Sequence, residues 1–280
     1  MLMRFKTLSL SLLMLGISSG AVAQAVLVKT EQNIEEYKLD NGLRVILAPN
    51  DKESKIFMNM VYLTGALNDP KGKGGLAHLL EHLAFKGTQN VKGEEFQRRL
   101  DQHTLMSNAS TDYYSTKYTS VIRPDKNALD EMMYLEAERM DKLVLQEKFV
   151  PSEISIVMRE REVRMDQPFS VLMDQMWKSA YGNQYLGRLP IGDLNELQSI
   201  KMNELNQFYR AWYAPNNAVM VVAGKFNKAD VLKAIDKNFS PIPARSIPAQ
   251  VKVPVLDSTK MVNRQFVVKK GSDLGKYNIY

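Results

Sequence analysis

The chain has 280 residues, 45% of them apolar and 24% charged, with a net charge of +6 and no cysteine. That apolar content supports a packed core and excludes a disordered chain. The lack of cysteine excludes disulfides and thiolate metal sites, so any metal must be held by His, Asp or Glu. The lysines are scattered, without a dense basic block or nucleic-acid motif, so the charge points to a solvated surface and not to nucleic acid.

Arg4 and Lys6 precede an apolar run over residues 8–17, and Ala21-Val22-Ala23 then places small residues at −3 and −1. This pattern predicts a signal peptide over residues 1–23, cleaved after Ala23, and an exported protein, periplasmic in a Gram-negative cell. The run is too short for a membrane span, and no other stretch is long and apolar enough to be one. Loss of Arg4 and Lys6 takes the net charge from +6 to +4.

Residues 35–39 and 43–47 flank Asp40-Asn41-Gly42, two β-prone runs around an Asn-Gly turn, which predicts a hairpin. Residues 56–63 alternate as a third strand. The Gly72-Lys73-Gly74-Gly75 loop then leads into His78-Leu79-Leu80-Glu81-His82, read as a short helix stopped near Gly87. Residues 93–101 read as a helix and residues 112–122, rich in Tyr, Thr, Ser and Val, as a strand. Helices are expected over residues 127–141, 151–166 and 171–181, then a loop over 185–190 and a helix over 201–212. A short buried strand over 218–223 and a helix over 228–239 follow. Strands, then helices, then strand and helix again describe an α+β layered domain, expected over residues 24–240. Pro241, Pro243, Pro248 and Pro254 mark a linker over residues 241–262. Residues 265–269 look like the first strand of a further domain, truncated within residues 263–280.

Two of the three histidines in the chain sit four residues apart with a glutamate between them. At about 100° per residue, Glu81 falls about 60° to one side of His78 and His82 about 40° to the other, while Leu76, Ala77, Leu79, Leu80, Leu83 and Ala84 fill the opposite arc. Two imidazoles at i and i+4 can hold one zinc ion, and a glutamate beside them can take a proton from water activated there. This order inverts the commoner His-Glu-x-x-His signature and occurs among metallopeptidases. A catalytic zinc takes a third protein ligand. The helix after Pro151 offers Glu153, Glu160, Glu162 and Asp166. Glu153 and Glu160, seven apart, share a face with Ile156 and Val157, whereas Glu162 points about 200° away from Glu160. Spacing alone leaves two readings open: Glu160 as a ligand, or all four acids as solvated partners of Arg159, Arg161 and Arg164.

Taken together, these residues resemble the N-terminal half of a pitrilysin/insulinase-family zinc peptidase, and in particular the shorter exported bacterial members related to mitochondrial processing peptidase. The resemblance runs over most of residues 30–280. It is carried by Gly65-Ala66-Leu67-Asn68-Asp69, by the run from Gly74-Gly75-Leu76-Ala77 through the histidines to Phe85-Lys86-Gly87-Thr88, by Asn108-Ala109-Ser110-Thr111, by Gly187-Arg188-Leu189-Pro190-Ile191-Gly192, and by the segment from Phe208-Tyr209 to Asn217-Ala218. It implies an α/β sandwich with a mostly antiparallel sheet and helices packed on it. It implies zinc held by His78, His82 and Glu160, with Glu81 as general base and Glu153 supporting the site. It further implies an edge strand on which Asn108 and Ala109 hold the backbone of a peptide substrate, and a second homologous half or partner subunit closing a chamber around unfolded peptides. His103 has no motif partner. The competing expectation is a non-catalytic subunit that binds peptides and completes a partner's chamber, and a weaker one is a different zinc hydrolase built on the same helix.

Overall fold

A computed structural model describes residues 25–257. The expected signal peptide and the start of the expected further domain, including the strand over 265–269, lie outside the described residues.

The Asn-Gly hairpin forms as its turn chemistry requires. Strand β2 (Ile34–Lys38) and strand β3 (Arg44–Pro49) pair antiparallel, with Tyr37 opposite Val45. Gly42 sits at φ +92° in the turn, and a Cβ there would come within 2.7 Å of Asn216, so only glycine fits both the backbone and the space. Strand β1 (Val26–Glu31) adds to the outside of β2. It gives no sequence signal because every one of its residues is exposed, so its pattern lacks the alternation that marks a half-buried strand.

Strand β4 (Ile56–Tyr62) follows as expected. The strand expected over 112–122 starts later: residues 112–115 form a turn in which the Asp112 carboxylate accepts from the N–H groups of Tyr114 and Ser115. That turn joins strand β5 (Met106–Thr111) to strand β6 (Thr116–Ile122). An Asx-type turn outcompetes the β-prone tyrosines at this place. Strand β7 (Ala218–Gly224) completes one sheet of order β1-β2-β3-β7-β4-β6-β5, in which only β3–β7 is parallel. This is the expected mostly antiparallel sheet.

Eight α-helices accompany the sheet among the described residues: α1 (Leu76–Leu83), α2 (Gly93–His103), α3 (Lys126–Lys142), α4 (Val150–Met165), α5 (Pro168–Tyr181), α6 (Leu194–Ser199), α7 (Met202–Trp212) and α8 (Lys228–Phe239). All but α6 were expected; its six residues are too few to show a helical period. Strands β4, β6 and β7 bury alternate residues, among them Met60, Tyr118 and Met220, and leave the intervening ones less buried. The helical layer therefore covers one face of the sheet, and the core lies between. Residues 241–257 carry no helix or strand, yet they are tied to the domain: Arg245 donates to the Tyr213 carbonyl and to Asp141, and Gln250 donates to the Leu63 carbonyl.

Under α1 lies a buried cation. Arg139 of α3, 1% exposed, pairs with Glu136, donates to the Ala84 carbonyl at the end of α1, and is flanked by the rings of Phe85, Phe96 and Tyr118. Removing one member of a buried pair strands the other's charge. Arg139→Met is therefore expected to lower unfolding free energy by about 3–5 kcal/mol in urea titrations, and Glu136→Leu/Arg139→Met to lose less than the single variant. A single variant within 1 kcal/mol of wild type, on the order of a surface change, would remove this pair from the stability account.

Candidate metal and hydrolytic site

Helix α1 is short and almost wholly buried: Leu76, Leu79, Leu80 and Leu83 are fully inside, and His78 and Glu81 are also buried. Its start is fixed by two devices. Gly75 caps it at φ +91°, where a Cβ would strike Leu197 and the Ile191 carbonyl. The Asp69 carboxylate accepts from the N–H of Gly75 and of Ala77, both at 2.8 Å. An acidic group at that end satisfies orphan donors and complements the helix dipole. Sequence reasoning quoted Asp69 only as part of a motif, because its bonds reach across a loop and leave no local pattern. Arg188 fixes the same loop by donating to the Ala66 carbonyl at 2.9 Å.

The wheel drawn from sequence holds in three dimensions. The His78 and His82 rings lie 4.8 Å apart between centroids. Helix α4 brings Glu160 to them: its Oε2 is 3.5 Å from His78 Nε2 and 3.7 Å from His82 Nε2. Among the described residues these three form the one group of metal-capable side chains whose ligand atoms lie within 4.8 Å of one another. Glu153 lies two turns earlier on the same face of α4, 4% exposed, with Oε2 3.3 Å from His82 Nδ1 and Oε1 2.7 Å from Lys86 Nζ. Val157 is fully buried between them, whereas Ile156, expected to share that inward face, is 50% exposed. Glu162 pairs with Arg159 on the outer surface, as its angle implied. His103 is not part of the group.

The donor set fits zinc. A tetrahedral zinc with bonds of about 2.1 Å spaces its ligand atoms about 3.4 Å apart, close to the two His–Glu160 distances. His82 Nδ1 lies on the Glu153 carboxylate and its Nε2 faces the group, the orientation in which a carboxylate beside Nδ1 fixes the tautomer that leaves Nε2 free for a metal. The group opens on a cleft of about 890 Å³ whose walls also include Glu81, Arg164 and all of β5. Asn108 and Ala109 lie on β5, the edge strand, and the Ala109 N–H donates to Asn108 Oδ1 at 2.9 Å. Three contributors escaped the sequence reading. Lys86 follows α1, Thr111 lies on β5 and Arg164 on α4; Lys86, four residues after His82, and Arg164, four after Glu160, left a spacing that could have pointed to the cleft, and Thr111 left none.

Burial sets the protonation of α1. It pushes His78 down to about 3, with His82 and Arg164 adding repulsion. It pushes Glu81 up to about 7, against the pull of the Thr111 hydrogen bond; Glu160 adds to the rise and Arg139 opposes it.

Residues 44–193 match the family described as "Insulinase (Peptidase family M16)". The chain belongs to the M16 peptidase family. Residues 199–280 match the description "Peptidase M16 inactive domain"; in this M16 chain that segment supplies β7, which lies within the same sheet as β3 and β4. The zinc protease PqqE of Helicobacter pylori is 34% identical over 82% of this chain and 51% of the relative. The probable zinc protease PqqL of Escherichia coli is 27% identical over 80% and 25%, and the yeast mitochondrial-processing peptidase subunit beta is 25% identical over 78% and 46%. Among solved structures, a protease from Helicobacter pylori matches with a TM-score of 0.72 and 31% identity, over 80% of this chain and 53% of that one. The first half of the periplasmic protease PqqL from Escherichia coli shares the fold, with a TM-score of 0.72 and 24% identity over 81% and 50%. The M16 chain thus spans about half or less of these relatives, and the resemblance read from its motifs is borne out. Among the described residues no helix is long and apolar enough to cross a membrane.

The two perturbed groups on α1 give opposite pH slopes. His78, depressed in the fold, contributes stability above its unfolded value that is lost as pH falls from about 6.5 toward 3. Glu81, raised in the fold, contributes stability at low pH that is lost as pH rises from about 4.5 to 7. In metal-free protein, the unfolding free energy of Glu81→Gln minus that of wild type is therefore expected to climb across pH 4.5–7, in urea titrations at a series of pH values. A flat or falling difference contradicts the burial account of Glu81.

Proposed function

We propose that this chain is the metal-binding half of an exported zinc endopeptidase that cuts unfolded peptides or small polypeptides. The observation that carries the reading is the convergence of His78, His82 and Glu160 beside a buried glutamate, in a cleft walled by an open sheet edge. A zinc ion held by those three residues supplies Lewis acidity toward the scissile carbonyl and makes water a nucleophile near neutral pH.

The rest is the work of side chains. Glu81 takes a proton from the attacking water as the water oxygen bonds to the carbonyl carbon, and it returns that proton to the leaving nitrogen as the C–N bond breaks. A carboxyl raised to about 7 is matched to both transfers. Glu153 holds His82 in the required tautomer, and Lys86 balances its charge. Asn108 and Ala109 offer β5 as a template for an extended peptide, with the Ala109 N–H exchanging the Asn108 side chain for a peptide carbonyl. A second homologous half or a partner subunit closes the cleft, in keeping with coverage of only part of each relative. Export is supported by the pattern of residues 1–23, and one fold relative is titled a periplasmic protease.

The test is zinc content together with cleavage of a quenched peptide library, on wild type and Glu81→Gln. The expected result is about one zinc per chain in both proteins, with turnover lower by roughly 10²–10⁴-fold in the variant. Near-wild-type turnover in Glu81→Gln removes the base assignment. Zinc without cleavage in wild type favours the non-catalytic or partner-dependent reading, and addition of a second homologous half should then restore turnover.

A further inference from the structure

Strand β5 meets the cleft in two ways. Among the described residues no strand pairs with its outer edge, and Thr111 at its end reaches Glu81, with Oγ1 2.5 Å from Glu81 Oε2. The direction of this bond follows from its surroundings. The other hydroxyl near Thr111, that of Thr116 at 3.4 Å, directs its proton to the Thr64 carbonyl at 3.0 Å. An ionised carboxylate has no proton to give, so Thr111 is the donor and Glu81 Oε2 the acceptor. No described residue donates to Glu81 Oε1, and that oxygen is not among the sealed polar atoms without partners. Because Glu81 lines the cleft, Oε1 is the oxygen turned toward it.

We propose that Thr111 is a positioning residue for peptide hydrolysis: its hydroxyl pins Glu81 Oε2, reserves Oε1 for the proton of the attacking water, and ties the orientation of the base to the strand on which the peptide lies. The proposal rests on the peptidase reading above. A glutamate carboxylate hangs on three rotatable bonds, and reaction needs the partner atoms held within about 3–3.5 Å. Thr111 is a firm anchor because it is paired with Thr116 in the β5–β6 ladder. In the proton transfer the water proton goes to Oε1 and later to the leaving nitrogen, while the Thr111 proton stays on Oγ1. Ala109 and Thr111 are two apart on one strand and so share a side. A peptide that pairs with the edge at Ala109 therefore steadies the residue that holds the base.

Thr111→Val removes the hydroxyl at nearly constant shape, and Thr111→Ser keeps it. With zinc-loaded protein and a quenched peptide, Thr111→Val is expected to lower kcat by about 10–100-fold while KM and zinc affinity stay within about twofold, and Thr111→Ser to stay within about threefold of wild type in kcat. A kcat for Thr111→Val within twofold of wild type, or an equal loss in both variants, overturns the proposal. A second measurement needs no turnover. In metal-free protein, at a pH where wild type shows the infrared carboxylate band that is lost in Glu81→Gln, that band should shift in Thr111→Val and hold in Thr111→Ser. An unmoved band overturns the role of Thr111 even where wild type cleaves nothing, so its failure and that of the peptidase reading are told apart.

Discussion

The site depends on one demanding arrangement: an eight-residue helix, packed on all sides, that carries two imidazoles and a carboxylate. Burying such groups is unfavourable unless each finds a partner. The surroundings of α1 meet most of that demand, leaving His78 Nδ1 buried without a hydrogen-bond partner. Asp69 accepts from the free N–H groups at the start of the helix, Arg139 donates to the Ala84 carbonyl at its end, Glu153 meets one histidine, Thr111 donates to the glutamate, and Glu160 faces both imidazoles. These partners come from a loop, α3, β5 and, twice, α4, so the site draws on elements far apart in the sequence.

The electrostatics follow from that packing. Low solvation keeps His78 neutral and raises Glu81, which suits one nitrogen for a metal and one oxygen for a proton. The pair of Lys86 with Glu153 places a compensating cation where a second buried carboxylate would otherwise oppose Glu81 and Glu160. The two helices divide the group between them: α1 carries both imidazoles and the buried Glu81, and α4 places the Glu153 and Glu160 carboxylates against those imidazoles.

Much of this was legible in the sequence, and for physical reasons. Turn chemistry and helical period are local, so the Asn41-Gly42 hairpin, α1, α3, α4 and α8 could be placed from residue order alone. The sharing of one helix face by His78, Glu81 and His82 was legible for the same reason. Glu160 was not, because spacing within α4 says nothing about what α4 packs against; the resemblance singled it out, and the distances show it beside both histidines. Thr111 and Asp69 stayed hidden since their bonds span 30 and 8 residues. β1 escaped because it is exposed on both faces, and the turn at residues 112–115 because β-prone tyrosines masked an aspartate that bonds its own backbone.

The place of β7 bears on how the chain reaches its folded state. Strands β3 and β4 are consecutive in sequence, yet they do not pair; β7, more than 150 residues after β4, lies between them. Until residue 224 has left the ribosome, both strands present bare edges and the core cannot close. Closing such long loops before their contacts form slows folding. The same wiring exposes two hydrophobic strand edges to aggregation during the interval.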